Sequence, residues 1–118
     1  MLHTIQDFSI QDINLELIRR ASFNEFDGEK VVNALNANKE LWESAYMTRF
    51  DLIPLRDMSN NSWNIDTLYI LAKKGQTAKL ISLAKQWSAD EVDLLPALEA
   101  NHLLGGGGAK DVIRVWWD

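Results

Sequence analysis

A chain of 118 residues, 47% of them hydrophobic, is the size of one ordinary domain with enough apolar surface for its own core, so a single domain spanning 1–118 is expected. A net charge of -5 at pH 7 lacks the basic footprint that binding to nucleic acid or to an anionic membrane surface requires. The absence of cysteine excludes a disulfide framework, a thiolate zinc site and a cysteine nucleophile, and no apolar run approaches the ~20 residues of a membrane span, so a cytoplasmic protein is expected.

Residues 1–8 show no periodicity and read as a lead-in. Ser9 can cap a helix near 10–22, with Asp12 in its first turn and Ile10, Ile13, Leu17, Ile18 and Ala21 on one side at helical spacing. FNEFDG breaks that helix, and Asp27 with Gly28 can start another. The second helix is expected from about Glu29 to Arg49, because no Pro or Gly interrupts it. Val31, Leu35, Trp42, Ala45 and Tyr46 would form its buried stripe, and Asn33, Asn36, Glu40 and Glu43 its wet face. Asn38 falls inside the stripe and needs a partner such as a neighbouring backbone group. Two helices joined by a short turn also fit the outline of a helix-turn-helix DNA reader, but the second carries more acid than base and would face phosphates with the wrong charge.

In DLIPLRDM, Pro54 cannot sit inside a helix, and Leu52, Ile53 and Leu55 read as a short edge strand or extended crossing. SNNSWN at 59–64 is rich in turn formers and marks a seam between a helical N-terminal half, 1–58, and a C-terminal half, 59–118. TLYILA at 67–72 has strand length, with Leu68 and Ile70 on one face and Thr67, Tyr69 and Leu71 on the other. Gln76 to Trp87 reads as an amphipathic helix burying Leu80, Leu83, Ala84 and Trp87. Val92, Leu94 and Leu95 form a short strand, although Ser88 and Glu91 also have capping-box spacing. Pro96 then opens a helix to about Leu104, and Gly105 to Gly108 connect to a final strand in DVIRVWWD. Period two puts Ile113, Val115 and Trp117 on an apolar face of that strand and Val112, Arg114, Trp116 and Asp118 on a mixed one.

The expected fold class is therefore α/β (or α+β): two N-terminal helices followed by a β-α-β-α-β half whose small, mostly parallel sheet carries helices packed on it. Right-handed crossovers would give strand order 2-1-3 or 1-2-3. The mixed face of the last strand also leaves an antiparallel α+β arrangement open.

Few residues point to chemistry. His3 and His102 have no partner at metal-ligand spacing, and neither HExxH nor GxSxG occurs, so no metal, cofactor or catalytic residue is expected. In a parallel sheet Asp66 and Asp118 would lie at opposite ends, and Asp51, Asp57, Asp90 and Asp93 occupy turn or cap contexts. AKKGQTAK puts Lys73, Lys74 and Thr77 between a strand and a helix start, where α/β folds bind anions, but the phosphate-loop pattern is missing and a solvated loop is the ordinary reading. Tyr69, Arg114 and Trp116 can share a sheet face if their strands are adjacent, and these residue types concentrate at interface hot spots. The plainer reading stacks Arg114 over Trp116 beside a carboxylate within a covered face. The expected function is an interaction or regulatory module with a protein partner or a second copy of itself as a homodimer. The alternative is a small ligand-binding protein or enzyme using an anion site at 73–77.

Overall fold

The computed structural model of the chain describes residues 7–22, 24–48, 55–106 and 110–118. Helix α1 (Ile10–Arg20) begins at a capping box. Ser9 Oγ accepts from the Asp12 amide at 3.0 Å, while the Asp12 carboxylate accepts from the Ser9 amide at 3.1 Å. The Ser9 amide and then its hydroxyl hold the Asp12 carboxyl below the ordinary carboxylate range. The buried side of α1 is Leu15 and Ile18, whereas Ile10 and Leu17 are exposed, so the helix is rotated from its expected stripe. Its partners explain the rotation: α1 packs on α2 and on the first strand, and the Gln11 amide group bonds both Ala45 N (2.9 Å) and Ala45 O (2.8 Å).

Helix α2 (Gly28–Ala37) is capped by Asp27 Oδ1, which accepts from the Lys30 amide. Gly28 is required where the helices cross, because a Cβ there would lie 2.4 Å from Ile18 O and 2.6 Å from Arg19 O. The helix expected to reach Arg49 instead ends at Asn38, whose Nδ2 donates to Ala34 O at 2.8 Å. A 3-10 turn, Lys39–Leu41, leads into strand β1 (Trp42–Thr48). Ala45 and Met47 are buried while Ser44 and Tyr46 are exposed, which is a period of two. Trp42, Ala45 and Tyr46 also satisfy three- and four-residue spacing, so this short stretch fits both templates until a sheet is there to receive it.

Helix α3 (Leu55–Ser59) makes Leu55 helical rather than extended, while Leu52 and Ile53 lie outside the described residues. Buried Asp57 fastens the turn-rich loop, accepting from Asn64 N at 3.4 Å and Asn64 Nδ2 at 3.2 Å. The remaining elements are β2 (Thr67–Ala72), α4 (Thr77–Ala84), β3 (Glu91–Leu94), α5 (Ala97–Leu103) and β4 (Val112–Trp116).

The fold is α+β, and the mostly parallel sheet expected from the C-terminal half is wrong. The four strands run in the order β1-β2-β4-β3 with every neighbouring pair antiparallel. β2 and β3 do run in the same direction, joined through α4, but β4 inserts between them. Read at helical spacing, 42–48 supplies no strand, so strand-helix-strand alternation in the rest of the chain favours right-handed parallel crossovers over the antiparallel arrangement that the last strand's mixed face also allows.

Helices α1, α2 and α4 cover one sheet face and form a continuous core with Leu68, Ile70, Ile113, Val115 and Trp117. Among the described residues the other face is only partly roofed: α5 seats Ala100 beside Val112 and Leu95, with Tyr69, Leu71 and Leu104 packed against them. Among the described residues no helix is long and apolar enough to cross a membrane.

Candidate interaction face

On the partly roofed face, strand register sets Tyr46, Tyr69, Arg114 and Asp93 in one row across all four strands. The next row is Thr48, Thr67, Trp116 and Glu91. Tyr69, Arg114 and Trp116 therefore share a face through the adjacency of β2 and β4, although that adjacency is antiparallel.

Arg114 is the hub of the two rows. Its Nη1 donates to Glu91 Oε2 at 2.9 Å and Asp93 Oδ2 at 3.1 Å, and its guanidinium carbon lies 5.8 Å from the Trp116 ring centroid. Partial burial opposes the guanidinium charge, but the bond to Glu91 and the fields of Glu91, Asp93 and Tyr69 outweigh it and hold the group above its ordinary value. Such an arginine releases no proton; it orients carboxylates and presents a planar cation. The stacking and carboxylate bonding expected of a covered face are thus present on a face that remains partly open, with Tyr69, Arg114 and Trp116 each half-buried.

Helix α5 adds what the strands lack. Leu98 is 86% exposed and Leu103 50% exposed, and Tyr46 on β1 is 55% exposed. Between α5 and the sheet runs a groove of about 740 Å³ whose walls include Tyr69, Leu95 and Arg114 from the sheet side and Leu98, Glu99 and Leu103 from the helix. Exposed His102 also lines it. Sequence reasoning missed Tyr46 because its segment was read as helix, and gave the helix from Pro96 to about Leu104 without assigning a role to Leu98 or Leu103. The usable signal was the crowding of Leu98, Leu103 and Leu104 onto one short helix, which cannot turn all of them inward.

The loop at 73–77 is arranged differently. Lys73 and Lys74 are exposed beside Gly75, whose φ of 80° makes the turn. Thr77 Oγ1 donates to Asp111 Oδ2 at 2.6 Å, so the hydroxyl expected to meet an anion already meets a carboxylate.

Antiparallel pairing also overturns the placement of Asp66 and Asp118 at opposite ends of the sheet. They lie at the same end, where Trp117 N donates to Asp66 O at 3.0 Å. The Asp66 carboxylate accepts from the Thr67 hydroxyl at 2.8 Å, and Asp90 accepts from Asp118 N at 2.6 Å. Asn24 Nδ2 donates to Asp118 O. Among the described residues no three His, Cys, Asp or Glu side chains are placed to share a metal ion; His3 lies outside them.

A second hollow of about 430 Å³ lies at α1 and α3, lined by Leu17, Asp57, Met58 and Trp63 among others. The buried Trp63 Nε1 has no acceptor among the described residues. Comparison with protein-family models, with curated proteins and with solved structures found no match.

Proposed function

We propose that the chain is a protein-interaction module that docks a partner on the open part of its second sheet face and on α5. The observation that carries this reading is the contiguity of Leu98, Leu103 and Tyr46, all at least half exposed, with half-buried Tyr69, Arg114 and Trp116. Exposed apolar surface gathered around aromatic and arginine side chains is the composition of an interface centre, whereas single exposed apolar residues are ordinary. Tyr69, Arg114 and Trp116 supply rigid anchors, and Leu98 and Leu103 supply apolar contact on the helix. The anion-site alternative at Lys73, Lys74 and Thr77 loses ground to Asp111, which sets a negative charge on the Thr77 hydroxyl.

The test is affinity purification from the native cell of the parent, of Leu98→Asp and of Leu17→Asp, the last altering an exposed residue of α1. A stoichiometric protein partner held by the parent and by Leu17→Asp but lost from Leu98→Asp supports the reading. A partner retained by Leu98→Asp, or a stoichiometric small molecule with no protein partner, would reject it.

A further inference from the structure

We infer that the partner docked on this face is a basic protein segment, placing an apolar side chain in the groove and lysine or arginine side chains on its rim. The inference rests on the docking reading above and deepens it by naming the chemistry of the occupant. The groove is apolar along Tyr69, Leu95, Leu98 and Leu103, but its charged groups among the described residues are mostly acidic: Glu99 in the wall, and Glu91 and Asp93 on the adjoining edge strand, against Arg114.

Arg114 does not use up those carboxylates. It engages Glu91 through Oε2 and Asp93 through Oδ2, and the two acid side chains remain 51% and 53% exposed. Oε1 and Oδ1 are left for another donor, since a carboxylate has about four acceptor sites. Glu99 is exposed and makes no ion pair among the described residues. Arg114, itself in the groove wall, thus bridges two carboxylates on the adjoining edge strand, and Glu99 lines the same groove from the helix side. An incoming arginine would find its acceptors already ordered, which lowers the entropic cost of docking.

Other occupants fit less well. In a two-fold contact between copies the same surface meets itself, so a face on which Glu91, Asp93 and Glu99 outnumber Arg114 among the described residues would approach a second face with the same excess of acid. A nucleic acid or acidic protein meets the same repulsion, reinforced by the chain's net charge of -5.

The probe is a random peptide library displayed on phage and selected against the intact chain, followed by amide-resolved NMR titration with a synthetic copy of the most enriched peptide. Enriched peptides should combine Arg or Lys with Leu, Phe or Trp and should shift the amides of Tyr69, Leu98, Leu103 and Arg114. Their affinity should fall about tenfold or more for the combined variant Glu91→Gln, Asp93→Asn and Glu99→Gln, and should weaken as salt is raised. If that variant fails to fold, Glu99→Gln alone carries the test with a loss of about threefold, since Glu99 is exposed and makes no ion pair among the described residues. Uncharged or acidic peptides that shift the same amides would overturn the basic partner and leave the docking face standing. A concentration-dependent dimer shifting those amides would put a second copy there and also overturn it. Enrichment mapping to other surfaces, or no enrichment, would overturn both readings.

Discussion

Trp117 shows how much one side chain can hold in place. It lies just past the end of β4, fully buried, its Nε1 donating to Trp87 O at 3.0 Å and its ring meeting Phe26 edge-on at 4.7 Å between centroids. Replacing it removes apolar burial, an aromatic contact and the partner of a backbone carbonyl together. Trp117→Ala is expected to cost about 3–5 kcal/mol, read as a lower midpoint in urea unfolding. Arg114 belongs to a different regime. Its ion pair with Glu91 joins side chains 27% and 51% exposed, so solvent screens it. A double-mutant cycle of Arg114→Ala and Glu91→Ala should return a coupling of about 0.5–1 kcal/mol that shrinks with added salt. Both roles were partly legible, because the alternation in DVIRVWWD separates Ile113, Val115 and Trp117 from Arg114 and Trp116 without reference to the rest of the chain. What alternation cannot reveal is which residue stands across the ladder. That Glu91 and Asp93 meet Arg114 depends on β3 lying beside β4, a matter of strand order.

Among the elements, β1 is where local reasoning failed, and it is also where the fold protects itself. β1 is an edge strand, and an exposed edge invites pairing with another chain. Gln11 covers it at Ala45 with one donor and one acceptor, imitating a missing neighbour strand. Gln11→Ala is expected to cost about 1–2 kcal/mol and to raise self-association, measured by urea unfolding and light scattering. Gln11→Glu should not rescue it, since a carboxylate can accept from Ala45 N but sets negative charge against Ala45 O. The bond pairs residues 34 positions apart, so no window of sequence could show it. The α1–α2 crossing tests the same dependence on distant partners. Gly28→Ala would gain up to about 1 kcal/mol of helix propensity, yet its Cβ would strike the backbone carbonyls of Ile18 and Arg19. The net expectation is a destabilisation of about 1–3 kcal/mol, seen as a fall in Tm. A Gly after an Asp cap is a readable helix start; its role as a crossing point is not.

At the level of the whole molecule, three helices cover one face of a four-stranded antiparallel sheet and a short helix half-covers the other. That asymmetry turns Tyr69, Arg114 and Trp116 from ordinary core candidates into a candidate docking surface. Residue types on β2 and β4 place the three together only if those strands are neighbours, which the sequence leaves open; the observed sheet makes them neighbours, but with antiparallel direction and with β4 between β2 and β3, in neither of the expected orders. Tyr46 was not legible, since it needed β1 to be a strand, and the α5 leucines were legible only as a crowd of apolar side chains on one short helix, not as the wall of a groove. The most direct measurement is photo-cross-linking in the native cell, with a photoreactive residue placed in turn at Tyr46, Leu98, Leu17 and Met58. A discrete protein adduct from Tyr46 and Leu98, absent from Leu17 and Met58, is the predicted result. Adducts from Leu17 or Met58 with none from the sheet face, or no protein adduct from any position, would contradict it.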